Sequence, residues 1–241
     1  MIYHFDWSVL WSGQSGQWLL SGLLTTIKIS ALAWILAVAL GILSGALRTV
    51  PLPPLRWLAL SYVEFFKNVP LLVWMFFWYF ALPPRLPDAI QDWLFDHGAE
   101  FWAGTFALGV YHGARFSEVM RSGIQSIPTT QFEAAMSTGL TTTQAYRHVL
   151  LPIALRLIIP PATNETLNLL KNSSVALTIG VAELTFQTRQ IETYTARAFE
   201  ALTAGTLIYL ILCLTIAALM AWVEKRWAIP GMIARSSRTE G

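Results

Sequence analysis

Two oppositely charged residues, Arg115 and Glu118, lie within a segment that is otherwise mostly apolar. Ionisable side chains at such positions are costly and mark binding sites or transport paths. They are three residues apart, so a helix places them on one face together with Tyr111 and Ser122. A guanidinium in a low-dielectric interior binds a carboxylate through two parallel hydrogen bonds. The pattern predicts carboxylate binding, with the alternative that Arg115 only pairs with Glu118 and stabilises the helix.

A second apolar segment carries a dense run of polar side chains. Its members are Asn164, Glu165, Asn168, Lys171, Asn172, Ser173 and Ser174. So many polar groups cannot all face lipid, so they must line an interior path or meet a partner subunit. We expect one binding site, formed by Arg115, Glu118, Asn164, Lys171, Asn172, Ser173 and Ser174. For Lys171 the alternative is a stabilising contact to a backbone carbonyl or to Glu165.

The chain shows no arrangement of residues that supports catalysis. It contains no nucleophile next to a base, no paired catalytic carboxylates and no cluster with metal-ligand spacing. Cys213 is the one cysteine and lies in an apolar run, where it is expected to pack as a small apolar residue. The sequence therefore predicts no catalytic residue and no metal site.

The composition is that of a protein that spans a membrane several times. Hydrophobic residues make up 55% of the 241 residues and charged residues only 12%, whereas soluble domains carry about 25% charged residues. A helical span needs roughly 20 apolar residues. Five apolar segments meet this length, and they cover residues 19–47, 57–82, 101–122, 153–179 and 201–223. The predicted fold class is therefore all-α, with about five transmembrane helices.

The charges of the connecting loops predict an orientation. The loops after the first and third spans are rich in arginine, whereas the loop after the second span is acidic. Because Lys and Arg favour cytoplasmic loops, residues 1–18 are predicted outside the cytoplasm. Residues 19–223 then form the transmembrane domain, and residues 224–241 form a cytoplasmic tail. The first 27 residues contain no Lys or Arg, so no cleaved signal peptide is expected.

The loop at residues 126–152 is too polar to span and too helix-prone to be a plain linker. Residues 131–137 can form one short helix, and Gly139 can end it because glycine tolerates positive φ. Thr141, Thr142 or Thr143 can cap a second helix that ends before Pro152. These two helices are predicted to form a compact protrusion that could transmit force by docking on another protein.

The same loop resembles the EAA loop of ABC-importer permeases, whose pattern is E-A-A-x3-G-x9-I-x-L-P. Glu133, Ala134, Ala135, Gly139 and Pro152 match this pattern. Val149 is the one departure. The resemblance implies the type I ABC-importer permease fold, in which the loop docks in a groove of an ATPase subunit. Residues 62–80, 121–128, 158–184 and 222–233 extend the resemblance to the polar amino-acid permeases, of the histidine, glutamine and glutamate type.

The resemblance also implies partners. The chain lacks the G-x-x-x-x-G-K-[ST] phosphate loop, so it is not itself an ATPase. ABC ATPase subunits would bind the ATP and Mg²⁺, and no cofactor is expected in this chain. A periplasmic amino-acid-binding protein would deliver the substrate. Five spans are few to enclose a path, so a second permease subunit is expected, either an identical copy or a similar paralogue. The expected location is the bacterial inner membrane.

The expected substrate is an acidic amino acid, glutamate or aspartate. Many relatives have an aromatic residue where this chain has Arg115 in the sequence A-R-F-S-E, and such a substitution resembles the glutamate/aspartate members. Arg115 would hold one carboxylate, Lys171, Asn172 or Ser173 another, and Glu118 the ammonium group. A neutral or basic amino acid such as glutamine, arginine or histidine is the alternative. A stand-alone secondary transporter is disfavoured because the chain shows no internal repeat.

Overall fold

The computed structural model describes residues 4–48 and 52–227, and these residues contain helices and connecting backbone but no β-strand. The fold class is all-α, as predicted. The helices are α1 Ser15–Leu47, α2 Pro53–Lys67, α3 Leu71–Phe76, α4 Asp88–Asp96, α5 Ala99–Gln125, α6 Thr129–Ser137, α7 Thr142–Ala145, α8 Leu151–Asn172, α9 Leu184–Thr195 and α10 Ala198–Trp227. The predicted N-terminal segment 1–18 overlaps α1, which begins at Ser15. Most of the predicted tail 224–241, and the end of the resembling segment 222–233, lie outside the described residues.

Helices α1 and α5 run side by side and in the same direction, and glycines allow their backbones to approach closely. A Cβ added at Gly41 would lie 2.5 Å from Cβ of Phe116, and one added at Gly109 would lie 2.5 Å from a Leu36 methyl group. Such distances leave no room for a side chain. Small residues spaced four apart are the usual basis of close helix packing in membranes, and this pair forms the centre of the bundle.

The second predicted span, residues 57–82, is not one straight helix. Helix α2 and the helical stretch 71–81 meet at an angle of 101°. Pro70 causes the break because it has no N–H and keeps the preceding residue out of the helical region. The side chain of Asn68 donates a hydrogen bond of 2.8 Å to the carbonyl of Glu64, which satisfies one carbonyl at the end of α2. The break leaves Lys67 half-buried and Asn68 exposed at the end of α2.

The structure establishes fewer spans than the sequence predicts. By length and composition, α1 and α10 could each cross a membrane, and the broken pair could form a third span. Helices α5 and α8 have the length of spans, but both carry the polar and charged side chains of the predicted site. The prediction of five spans therefore stays a prediction.

The structure contains the first of the two short helices predicted in the 126–152 loop, and it contains the start of the second. Helix α6 ends at Ser137, and Gly139 follows with a φ of +82°. Thr141 caps α7, and the capping is reciprocal because Gln144 bonds back to the Thr141 backbone. The capping residue is thus the first of the three predicted threonines.

The prediction that the second helix ends before Pro152 is wrong. The chain stays helical from α7 through a π-helical turn, Tyr146–Leu150, into α8. Proline is tolerated in the first turn of a helix, where its missing N–H has no required partner. The wider π turn lets the N–H of Leu151 bond to the carbonyl of Tyr146 just before Pro152. Residues 142–172 therefore form one continuous helical path.

Candidate functional site

The site lies where α5, α8 and the end of α2 converge. Along their helices, Arg115 is about 15 Å from the end of α5 and Glu165 about 21 Å from the start of α8, at the usual rise per residue. Both helix ends adjoin the α6–α7 segment. The hydrocarbon layer of a membrane is about 30 Å thick, so both charged side chains lie well within a membrane-spanning length of their helices.

Glu165 is the centre of the site. Its side chain is only 7% exposed, and its Oε1 accepts a hydrogen bond of 2.9 Å from Nε of Arg115. The same oxygen lies 2.6 Å from Nδ1 of His112, which is fully buried. The amide nitrogen of Asn172 lies 3.2 Å from the other ring nitrogen of His112. This geometry fits an imidazole that donates from Nδ1 to Glu165 and accepts from Asn172 at Nε2.

Arg115 has a different partner from the one considered in the sequence. Its ion pair is with Glu165 on α8 rather than with Glu118 on its own helix. Its side chain is 43% exposed, and its guanidinium carbon lies 5.9 Å from the ring centre of Tyr111. The Nε–H is used in the bond to Glu165, and a guanidinium carries five N–H donors in total. Glu165 thus orients Arg115 while part of the guanidinium stays accessible.

Glu118 belongs to a second, adjacent network. Its carboxylate binds Arg48 at 3.1 Å and Arg121 at 2.9 Å, and Nζ of Lys67 lies 3.5 Å away. Lys67 also pairs with Glu64 at 2.5 Å. Because Glu118 already has three cationic neighbours, it is less available for a substrate ammonium group than the sequence suggests.

The two networks border one cavity of about 480 Å³. Its lining comprises Lys67, Asn68, Arg115, Glu118, Val119, Arg121, Ser122 and Glu165. Three of these side chains are cations and two are carboxylates. The lining therefore carries an excess of one positive charge, and an anion is the complementary ligand.

The structure brings together only part of the predicted site. Asn164 and Lys171 are exposed on another face of α8, away from this cavity. The hydroxyls of Ser173 and Ser174 bond to the carbonyls of Leu170 and Lys171, both at 2.7 Å. Of the predicted substrate-binding residues, Arg115 and Glu118 line the cavity, and Asn172 reaches the site through His112.

The site also contains residues that were not expected, among them Lys67 in the cavity lining and His112, which contacts Glu165. Lys67 looks like a lysine at a span end, and His112 looks like an isolated histidine. A signal for the first is the sequence Lys67-Asn68-Val69-Pro70, because a proline that interrupts an apolar segment indicates a broken helix. A signal for His112 is its spacing of three from Arg115, which places both on one helical face.

The predicted docking residues lie at the opposite end of α8 from the site. Glu133, Ala134 and Gly139 are exposed, whereas Ala135 is buried and Pro152 is half-buried. The rings of Phe132 and Tyr146, 5.8 Å apart, hold α6 against the start of the long helical path. The α6–α7 segment thus presents an exposed surface that is firmly attached to α8.

Comparison with protein families finds one match. Residues 37–229 match the family described as binding-protein-dependent transport system inner membrane component.

Named relatives cover most of the chain. The glutamate/aspartate import permease protein GltJ of Escherichia coli (strain K12) is 43% identical over 218 residues, which is 89% of either chain. The probable glutamine ABC transporter permease protein GlnM of Bacillus subtilis (strain 168) is 36% identical and covers 86% of this chain and 92% of its own length. The glutamine transport system permease protein GlnP of Escherichia coli (strain K12) is 32% identical, with coverage of 93% and 99%.

Solved structures show the same fold. The crystal structure of an amino acid ABC transporter with histidines has a TM-score of 0.80 and 31% identity, and the match covers 93% of this chain and all of that one. The MetNI methionine ABC transporter in an inward-facing conformation has a TM-score of 0.67 at 18% identity, with coverage of 90% and 100%. The second likeness shows the fold alone.

The buried position of Glu165 predicts a loss of stability when its carboxylate is removed. Glu165→Leu leaves the Nδ1–H of His112 and the Nε–H of Arg115 without an acceptor. A buried group left without a partner costs about 1–3 kcal/mol, so the unfolding temperature of the solubilised protein should fall by several degrees. Glu165→Gln keeps one acceptor oxygen, so its unfolding temperature should lie between those of Glu165→Leu and the unmodified protein.

Glu192→Leu is the matched control, because Glu192 pairs with Arg189, whose side chain is 60% exposed. Exposed pairs contribute about 0–1 kcal/mol, so this variant should melt close to the unmodified protein. Equal unfolding temperatures for the two leucine variants would contradict the role given to Glu165.

Proposed function

We propose that this chain, which belongs to the family of binding-protein-dependent transport system inner membrane components, carries acidic amino acids as its substrates. It is a permease of the polar amino-acid ABC importers and not an enzyme. The observation that carries the acidic substrate is the charge of the cavity. Three cations and two carboxylates line it. Glutamate and aspartate carry two carboxylates and one ammonium group at neutral pH, so their net charge of about −1 is opposite to that of the cavity lining.

Arg115 would bind one carboxylate of the substrate. Glu165 holds Nε of this guanidinium, so its plane is oriented before a ligand enters. Pre-orientation lowers the cost of ordering a side chain when a ligand binds. Lys67 and Arg121 stand on the same cavity wall as Glu118 and could share the second carboxylate. The ammonium group would then approach Glu118 or Glu165.

A neutral polar amino acid is the second candidate. The relatives GlnM and GlnP, at 36% and 32% identity, are named for glutamine. Glutamine has one carboxylate, so Arg115 would bind that group and the other cations of the cavity would stay paired with Glu118 and Glu64. The name of GltJ, at 43% identity, and the positive excess of the cavity favour the acidic substrate.

Replacement of Arg115 by tyrosine tests the acidic substrate. In vesicles that contain the complete importer, Arg115→Tyr should reduce glutamate uptake by about tenfold or more, because hydrogen bonds to charged groups contribute about 1.5–3 kcal/mol. Glutamine uptake, measured in the same vesicles, should change much less. Arg189→Tyr is the control, since Arg189 is exposed and does not line the cavity.

Two results would contradict this assignment. Unchanged glutamate uptake by Arg115→Tyr would exclude Arg115 as a substrate ligand. Faster uptake of glutamine than of glutamate by the unmodified importer would make the neutral amino acid the substrate.

We also propose that Glu133, Ala134 and Gly139 form the docking surface for an ABC ATPase subunit, which binds the ATP and Mg²⁺, and that the buried Ala135 and the half-buried Pro152 support this surface from within. The exposed α6 supports this, and so does the continuous helical path from Thr142 to Asn172. That path connects the docking surface to the amide that contacts His112. Movement of the docking surface would therefore reach the substrate cavity along one continuous helical path. An ATPase subunit can dock only if the α6–α7 segment lies in the cytoplasm. With five spans, this orientation puts the N-terminus outside the cytoplasm and the C-terminus inside it.

Substitutions at Gly139 test the docking proposal. Gly139 has a φ of +82° and no atom within 4 Å of an added Cβ, so a side chain there meets backbone strain but no clash. Gly139→Val should strain the backbone by about 1–3 kcal/mol. Because this strain distorts the docking surface, substrate-stimulated ATP hydrolysis should fall about fivefold or more. Gly139→Asn is the matched variant, because asparagine tolerates positive φ, and it should retain most of the stimulation.

Glu133→Lys should also uncouple hydrolysis from substrate while the protein still inserts into the membrane. Substrate-stimulated hydrolysis that persists in both Gly139→Val and Glu133→Lys would refute the docking surface and the orientation that depends on it.

A second permease subunit is the third proposal, either an identical copy or a similar paralogue. Polar side chains at Asn164, Asn168 and Lys171 lie on one exposed or half-exposed stripe of α8. Such a stripe is unstable against lipid, whereas it is suited to face a partner across a translocation path. A periplasmic amino-acid-binding protein would meet the outer end of that path. The mass of the purified complex tests the pairing, and a transport-competent complex with a single permease chain would overturn it.

A further inference from the structure

A second cavity, of about 210 Å³, lies at the end of the bundle where α1 and α5 end and α2 begins. Its lining is Arg48, Arg56, Leu60, Arg121, Ile124 and Gln125. We call it the basic groove. Three guanidiniums line it and no carboxylate does. It is separate from the substrate cavity, although Arg121 stands between the two and lines both.

The positive charge of the basic groove is only partly neutralised. Arg48 and Arg121 share the single carboxylate of Glu118, at 3.1 Å and 2.9 Å. Within the described residues, no carboxylate lies within ion-pair distance of Arg56, which is exposed. An anion bound here would therefore neutralise a guanidinium that has no carboxylate partner among the described residues. Planar guanidiniums bind phosphate oxygens through paired hydrogen bonds.

The surroundings of the basic groove are apolar on the outside. Trp57 and Leu58, which follow Arg56 on α2, are 68% and 64% exposed, and Ile124 beside Arg121 is 42% exposed. On a membrane protein such side chains face lipid, and tryptophan favours the level of the lipid headgroups. The lining thus combines three arginines with Leu60 and Ile124, and exposed apolar side chains of α2 follow Arg56 in the sequence.

We propose that the basic groove binds the phosphate group of an anionic phospholipid. Arg56 contacts the phosphate, with Arg48 and Arg121 behind it, and one acyl chain lies along Leu60 and Ile124. A free phosphate ion offers the same charge but no group for these two apolar side chains. The proposal rests on the groove alone and does not depend on which amino acid is carried.

Retention of lipid by the purified complex tests the proposal. The complete importer in detergent is incubated with phosphatidylglycerol or with phosphatidylcholine, and native mass spectrometry counts the bound lipids. Phosphatidylglycerol should be retained in preference to the zwitterionic lipid. A basic residue near anionic lipid contributes a factor of about five in affinity, so Arg56→Gln should lower phosphatidylglycerol retention about fivefold.

Arg147→Gln is the matched control because Arg147 is an exposed arginine of the α6–α8 segment outside the basic groove. It should retain phosphatidylglycerol as the unmodified protein does, and a thermal melt verifies that both variants are folded. Equal losses in Arg56→Gln and Arg147→Gln, or no loss in either, would overturn the site. Displacement of phosphatidylglycerol by millimolar inorganic phosphate would show a site for free phosphate and overturn the lipid.

Discussion

The burial of the Glu165 carboxylate in an apolar bundle is the constraint on which the site depends. A charge taken out of water is strongly destabilising unless it is paired and hydrogen-bonded. Glu165 meets this requirement through His112 and Arg115, both on α5. The pairing joins α5 to α8 at one level of the bundle. It also leaves part of the Arg115 guanidinium directed at a cavity, so a single electrostatic requirement links packing to ligand binding.

Close packing of α5 with α1 makes this arrangement possible. Gly41 and Gly109 leave no room for a side chain between the two helices, so the position of α5 is narrowly determined. The break at Pro70 contributes from the other side, since it places Lys67 and Asn68 in the cavity rather than in a straight span. Small residues and a proline thus define the cavity that the charged residues line. The continuous path from Thr142 to Asn172 connects this cavity to the exposed surface at α6.

The positive charge of the two cavities depends on which carboxylates pair with their arginines. Arg48 and Arg121 both bind Glu118, which lines the substrate cavity, whereas the two arginines line the basic groove. The i, i+3 spacing of Glu118 and Arg121 can be recognised on the helix surface, whereas the contact of Glu118 with Arg48 joins residues 70 positions apart. Only the fold can create a contact of that kind. The same is true of Arg115, whose partner is 50 positions away on α8 and not the nearby Glu118.

The sequence by itself determined that the chain is a membrane protein. The apolar fraction and the lengths of the apolar segments depend on whether lipid or water surrounds the chain, and they can be evaluated without knowing how the helices pack. The sequence also determined the α6–α7 segment, where Gly139 and Thr141 act on their own backbone and need no distant partner. The tertiary structure alone decided which polar residues meet. Asn164 and Lys171 lie away from the cavity, whereas Lys67, Asn68 and Arg121 line it, because the helix break and the register of packed helices set their positions. The local pattern of a helix states which residues share a face, but not what that face meets.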